Sequence, residues 1–402
     1  MRPQFHFTPA QNWMNDPNGL VYYKGLYHLF YQYNPEGDQW GHMSWGHATS
    51  SDLLNWNELP VAIRDDERAM IFSGSAVVDH QNTSGFGTLE NPAMVAIYTE
   101  HQEEHQAQGL AYSLDEGLTW KKYEGNPVLD LGKKDFRDPK VTWDKARNHW
   151  LMAVALPQEF IIQFYKSDDL KSWTHLSNFG PVGAVGGIWE CPDLFELEVD
   201  GATKWVLIVS LNPGGPVGGS ATQYFIGDFD GVTFTQTEYL DEIKWIDFGA
   251  DYYAAVSFND APDNRRIMIG WMSNWDYAKF IETTPDRPSR GEMSLPREIS
   301  LRKIDGKIEL IQKPVREAAH LVRDIEITTD PIVLAGAISI GYDPARSMVF
   351  VDRTKSAINP ATHYAPAQAV DGRVQAQLVV DKGSLELFID GGRHVITDLF
   401  LL

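Results

Sequence analysis

Cysteine is almost missing from this 402-residue chain. The single Cys191 excludes an intrachain disulfide and leaves the redox compartment open. Basic residues are also scarce: 34 Lys and Arg stand against 55 Asp and Glu, a formal charge of −21. Such a surface repels nucleic acid and anionic membranes and favours a neutral ligand. No apolar run reaches the 18 residues that a membrane-spanning helix needs. The opening Met1-Arg2-Pro3-Gln4-Phe5-His6-Phe7 lacks the apolar core of a secretion signal. The chain therefore reads as cytoplasmic, or as extracellular if Met1 stands where a mature domain begins. Convincing 3.6-residue periodicity is absent as well, which leaves little room for long helices.

What is present is strand-like. Tyr22-Tyr23, Tyr27–Tyr31, Met94–Tyr98, Trp150–Val154 and Trp205–Val209 are short, β-branched or aromatic, and bounded by turn residues. After four such stretches comes a Ser or Gly, then an Asp, then an aromatic: Ser51–Trp56, Ser113–Trp120, Ser167–Trp173 and Gly227–Phe234. The aspartates at 52, 115, 169 and 230 are 63, 54 and 61 residues apart, about the length of a four-stranded sheet with its loops. Repeated four-stranded sheets imply a propeller. In each unit the Asp is expected to cap a hairpin and the aromatic to open the outer strand. Tyr252–Ser257 and Arg266–Trp275 supply a further blade, making five. After Ile304 the texture changes. Residues 306–323 read as a linker, with Ile308–Ile311 and Glu317–Arg323 as connecting segment. Residues 324–402 read as a second, smaller β-sandwich that is shortened and incomplete, ending on an apolar run at Leu402. The fold class is thus all-β: a five-bladed propeller over residues 1–305 followed by a shortened sandwich.

Three carboxylates open strands that a propeller would turn towards its axis. Asp16 lies in Trp13–Gly19, Asp138 in Phe136–Lys140 and Glu190 in Trp189–Phe195. Pro17 holds Asp16 extended, Asn15 and Asn18 can hydrogen-bond around it, and Gly19 permits a tight turn. An ionised, oriented carboxylate there suits nucleophilic attack on a sugar. Proline adjacency by itself carries no weight. Four acid-proline steps occur, at Asp16, Asp138, Asp330 and Asp343, against about three expected from composition. The aromatic residues, 12% of the chain with 13 Trp and 16 Tyr, include many in polar stretches, where they can stack on sugars or pack between strands. His101 and His105 have the i, i+4 spacing that could hold zinc on a helix, but they join two strands and read as a polar loop. Gly214, Gly215, Gly218 and Gly219 lack the lysine and helix of a phosphate cradle. No metal or cofactor is expected.

The chain resembles glycoside hydrolase family 32, the β-fructofuranosidases, and within it the exo-acting inulinases and levanases. The likeness rests on Trp13–Leu20, Tyr31–Pro35, Trp45–Thr49, Phe72–Ser75, Phe136–Pro139, Trp189–Leu194, Asn212–Pro216 and Gly270–Trp275, eight motifs in the family's order. The resemblance implies Asp16 as nucleophile, Glu190 as acid and then base, and Asp138 as the residue that steadies the transition state through sugar hydroxyls. It carries sugar contacts onto Asn15, Gln32, Trp40, Phe72, Ser73, Arg137 and Trp271, with blade packing the other reading for Trp40 and Trp271. Local chemistry agrees: Asp16 among amides should stay ionised, Arg137 should keep Asp138 charged, and Glu190 between Trp189 and Cys191 is placed to be partly desolvated and to act as an acid. The implied reaction is retaining release of terminal β-fructose from inulin, levan or sucrose. A sucrose-6-phosphate hydrolase, a fructosyltransferase and a non-catalytic fructan-binding propeller are the alternatives.

Overall fold

Alternating β-branched and aromatic stretches need partners for both faces, and here each finds them in a neighbouring sheet. In a computed structural model that describes residues 2–401, five sheets surround one axis. Each blade begins with its innermost strand: Asn12–Tyr23, Met70–Val78, Arg137–Asp144, Ile188–Val199 and Tyr253–Ser257. A buried apolar cluster fills each gap between blades. Val77, Leu110, Val141 and Met152 join the second to the third; Ala153, Phe164, Trp189 and Leu207 join the third to the fourth. The ring closes where Leu29 and Tyr31 of the first blade meet Val256 and Ile269 of the fifth. Asn12-Trp13 also pairs in parallel with Ser289-Arg290, a short strand from the long fifth-blade loop. Among the described residues no helix is long and apolar enough to cross a membrane.

The aspartate repeat is structural, as its spacing implied. Asp52 accepts backbone N–H bonds from Leu54 and Asn55 at 3.0 and 2.8 Å between the third and fourth strands of its blade, and Trp56 Nε1 donates to Leu53 O. The same pattern recurs at Asp169 and Trp173, and, with one residue more in the turn, at Asp115 and Trp120. Burial raises the Asp52 pKa, but the bonds from Asn55, Leu54 and Ser50 outweigh it and bring it to about 2.

Two expectations about organisation are corrected. Lys307–Pro314, assigned above to a linker, is the outer strand of the fifth blade, paired with Arg297–Ile304, because Leu310 and Ile308 pack into the core between the fourth and fifth blades. Trp13–Gly19 is likewise no turn but part of a twelve-residue strand. Gly19 is required within it: its φ is +55°, and a Cβ there would meet Phe30 at 2.6 Å.

The smaller unit is two four-stranded sheets. Arg323–Ile327, Val374–Asp381, Ser384–Ile389 and His394–Leu399 form one, and Ile332–Leu334, Ile338–Asp343, Met348–Asp352 and Thr362–Pro366 the other. Short as they are, they enclose a core of their own around Ile340, Val351, Leu387 and Ile396. The expectations about the chain's two ends rest on Met1 and Leu402, which lie outside the described residues.

Candidate active site

In a regular strand, adjacent side chains point to opposite faces, so a strand lining an axis offers it only every second residue. All five innermost strands break that rule near the same end. Their ladders shift register between Met14 and Pro17, Ile71 and Gly74, Arg137 and Lys140, Glu190 and Asp193, and Tyr253 and Val256. Bulges of this kind re-aim side chains, and here they turn neighbours inward together: Asn15 with Asp16, Phe72 with Ser73, Arg137 with Asp138. In three blades the residue that opens the bulge is left-handed without being glycine: Asp138 at φ +67°, Cys191 at +46° and Ala254 at +52°. Each costs about 1 kcal/mol of backbone strain.

The inward residues line a cavity of about 350 Å³ that contains Asp16, Asp138 and Glu190. Trp13 Nε1 donates to Asn15 Oδ1 at 2.8 Å, and Asn15 Nδ2 donates to Asp16 Oδ1 at 3.0 Å. Ser73 Oγ donates to Asp16 Oδ2 at 2.6 Å, so both oxygens of Asp16 are oriented. Asn18 turns away, its amide facing Gln32 and Ser73. Asp138 Oδ2 accepts the Cys191 backbone N–H at 3.0 Å, and the Cys191 sulfur lies 3.5 Å from Asp138 and 3.6 Å from Asp16. Glu190 Oε1 accepts Arg137 Nε at 3.0 Å, and Oε2 accepts the Tyr253 hydroxyl.

Burying Asp16 and Asp138 beside Glu190 disfavours the charges of the two aspartates. Asp138 is pushed up to about 7, first by burial and then by Glu190, against the opposing pull of Arg137. Asp16 is raised by burial and by Glu190, tempered by Ser73, Asn15 and Cys191. The expectation that Arg137 would hold Asp138 fully charged is therefore corrected. The guanidinium bonds Glu190, Asp135 and Gln106 instead, and its field offsets only part of the burial cost. Asp16, expected to stay ionised among amides, is likewise raised above the usual carboxylate range by burial.

Of the sugar-contact residues expected from sequence, Asn15, Gln32, Trp40, Phe72, Ser73 and Arg137 line the cavity, with Trp40 at the rim and 45% exposed. Trp271 does not. It is fully buried between Trp13, at 6.2 Å, and Trp275, at 4.9 Å, so packing is its role and Trp275 presents the indole instead. Besides Trp275, four residues were missed. His101 lies flat on Phe72, with ring centroids 4.1 Å apart, and its Nδ1 meets the Gln106 amide at 3.0 Å. Gln106 and Asp135 line the cavity, while Tyr253 stands behind Glu190. His101 and His105 pass to separate partners on a hairpin, His105 pairing with Asp130 at 2.8 Å. The signal for Gln106 was visible: Gln106 and Gln108 alternate as polar residues in a buried strand, where each must serve an inward partner.

Comparison with known proteins fits this geometry. Residues 6–314 match the model of the glycosyl hydrolases family 32 N-terminal domain, and residues 332–401 that of the family 32 C terminal. A levanase of Bacillus subtilis is 46% identical across 100% of this chain, which spans 66% of that protein. An extracellular exo-inulinase of Aspergillus awamori is 38% identical, with 98% of this chain and 88% of the relative covered. The crystal structure of exo-inulinase from Aspergillus awamori superposes with a TM-score of 0.91 at 36% identity, covering 99% of this chain and 92% of that one. A β-fructofuranosidase from Schwanniomyces occidentalis complexed with fructosyl-erythritol gives 0.89 at 35% identity, covering 100% and 91%.

Proposed function

The chain belongs to glycoside hydrolase family 32, and from that premise we propose that it is a retaining exo-β-fructosidase releasing terminal fructose from fructans and sucrose. One observation carries the reading. Asp16, Asp138 and Glu190, from the inner strands of three different blades, meet in one cavity that also presents Trp40, Phe72 and Trp275. Nothing in blade packing requires three acids to share a pocket, and burial there raises the carboxyls of Asp16 and Asp138 above their usual range, a cost that structure alone does not explain.

In the proposed reaction Asp16, held by Asn15 and Ser73, attacks the anomeric carbon of the terminal fructose. Glu190 gives its proton to the departing glycosidic oxygen. Asp138, close to the range where it carries a proton, exchanges hydrogen bonds with sugar hydroxyls as charge develops on the ring. Water then enters, Glu190 takes its proton, and the fructosyl–Asp16 ester is cleaved with overall retention. Arg137 and Tyr253 fix the Glu190 carboxyl through both oxygens and so act as positioning residues. Arg137 is the only Lys or Arg lining the pocket among the described residues, and it is already engaged with Glu190 and Asp135. That favours a neutral sugar over a phosphorylated one.

The test is chromatography of products from inulin, with Asp16→Asn as the control. Free fructose alone supports the reading. A ladder of oligosaccharides would replace it with endo cleavage, and tight binding without product would replace it with a lectin-like role.

A further inference from the structure

A second and larger cavity, of about 670 Å³, opens at the opposite end of the propeller axis. The inner strands begin near the catalytic pocket and run away from it. Thr142 and Trp143, Phe195 and Glu196 in the far halves of their strands, and Phe258 just beyond the end of its strand, line this second space. Between the two cavities the axis is filled by buried Lys140, Asp193, Ser257 and Asn259, tied together by bonds such as Lys140 Nζ to Asp193 Oδ2 at 3.1 Å and Asn259 Nδ2 to Val141 O at 2.9 Å. The far cavity is therefore separate from the catalytic one.

Its lining is that of a ligand site. Trp143 and Trp205, from adjacent blades, are only partly covered. Arg266 lies over the Phe195 ring at 4.9 Å and makes only long bonds, to Ser257 Oγ at 3.3 Å and Phe258 O at 3.4 Å. Among the described residues it forms no ion pair, unlike Arg265 beside it, which grips Glu317 with two nitrogens. Yet Asp193, Glu196 and Asp260 all act on its charge. An anion would be repelled by those acids and a cation by Arg266. A neutral polyhydroxyl ligand can accept from the guanidinium, donate to Glu196 and Asp260, which line the cavity, and lay its C–H faces on the indoles.

We propose that this cavity is a non-catalytic binding site for a segment of fructan chain. The proposal rests on the exo-β-fructosidase reading. An exo enzyme needs chain ends, and holding the polymer elsewhere on the same molecule raises the local concentration of ends at the catalytic pocket. The two sites face opposite ways, so the held segment belongs to a distant stretch or another branch of the polymer.

Calorimetric titration of the full chain carrying Asp16→Asn with a short inulin-type oligosaccharide is expected to give two sites, and Asp16→Asn with Trp143→Ala only one. In the active enzyme, Trp143→Ala and Arg266→Met are each expected to raise KM for high-molecular-mass fructan by about three- to tenfold, with kcat, and both constants for sucrose, unchanged. A stoichiometry of one in Asp16→Asn, or of two after Trp143→Ala, overturns the proposal. So does an equal loss on sucrose and polymer, which means a structural role. Trp205→Ala adds a third probe, and the two other variants decide the matter if it does not fold. Failure of the underlying reading is distinct: the wild-type chain would release no fructose from sucrose or inulin, whatever the stoichiometry.

Discussion

Two groups of buried charges lie in this molecule, and they are built on opposite principles. At the catalytic end of the axis, three carboxylates have one guanidinium among them, which bonds only Glu190 of the three and also serves Asp135. At the seam between propeller and sandwich, acids and bases are matched. Arg297 Nη2 meets Glu386 at 2.6 Å and its Nη1 meets Asp247 at 3.0 Å, while His6 spans Asp381 and Glu386 at 3.0 Å each. Arg353 Nη1 meets Asp251 at 2.9 Å, and His363 meets Asp398 at 2.7 Å. Thr397 N donates to Asp247 and Leu399 N to Asp251, both at 2.8 Å, so the last strand of the sandwich is hydrogen-bonded onto the propeller. Burial raises Glu386 too, but Arg297 and His6 more than reverse it, and its pKa falls below the usual range. Asp138, with comparable burial, ends near 7. The difference lies in the partners. Burial still leaves Asp247 pushed up to about 6 and Asp251 raised despite Arg297 and Arg353, but at Glu386 and Asp381 the partners outweigh it. Those seam charges therefore stabilise the fold, whereas Asp16 and Asp138 at the axis are tolerated by it for their chemistry.

The contrast is broken if charge removal has the same effect in both places. The largest expected effect is on turnover. Asp16→Asn should lower kcat by at least about a thousandfold, measured as fructose release from sucrose, without lowering the unfolding temperature. Next is the seam. Glu386→Gln leaves Arg297 and His6 short of a charge in a dry site, which should cost about 3–5 kcal/mol by urea denaturation, while kcat per folded molecule stays at the wild-type value. Third is His6. Burial lowers its pKa, but Asp381 and Glu386 raise it to about 9 from 6.5. Its contribution, on the order of 3 kcal/mol, is fully present below pH 6.5 and lost as the pH rises through about 9. Unfolding midpoints of wild type and His6→Gln should therefore lie far apart at pH 6 and converge above pH 9.5. The smallest effect has the reverse sign. With its folded pKa near 7 against an unfolded 3.8, Asp138 weakens the fold progressively as the pH rises from about 4 to 7. Asp138→Asn should then gain about 1–2 kcal/mol at pH 7.5 and nothing at pH 4, read from the same denaturation curves.

The propeller and its three acids were legible because each leaves a local mark: an Asp-capped hairpin every 54 to 63 residues, and motifs placing Asp16, Asp138 and Glu190 at strand entrances. What sequence could not show was anything set by two strands meeting. Trp271 and Trp275 share one motif, and only the end of the fifth blade's second strand at Trp271 decides that the first is buried and the second faces the pocket. Tyr253 reaches Glu190 because its ladder slips at a bulge opened by Ala254, which carries no glycine to announce it. Lys307–Pro314 looked like linker because its charged residues alternate with Ile308 and Leu310 in the manner of any edge segment. The seam was wholly invisible, since its ion pairs join residues as far apart as His6 and Glu386.

The most direct test of the central claim is thermal unfolding at pH 7.5 of two carboxylate-to-amide sets, Asp16→Asn and Asp138→Asn at the axis and Glu386→Gln and Asp398→Asn at the seam. Opposite outcomes are expected: axis variants that melt at or above the wild-type temperature, and seam variants that melt well below it. If the axis variants melted as low as the seam variants, the catalytic carboxylates would be holding the fold together, and the distinction drawn between the two clusters would be wrong.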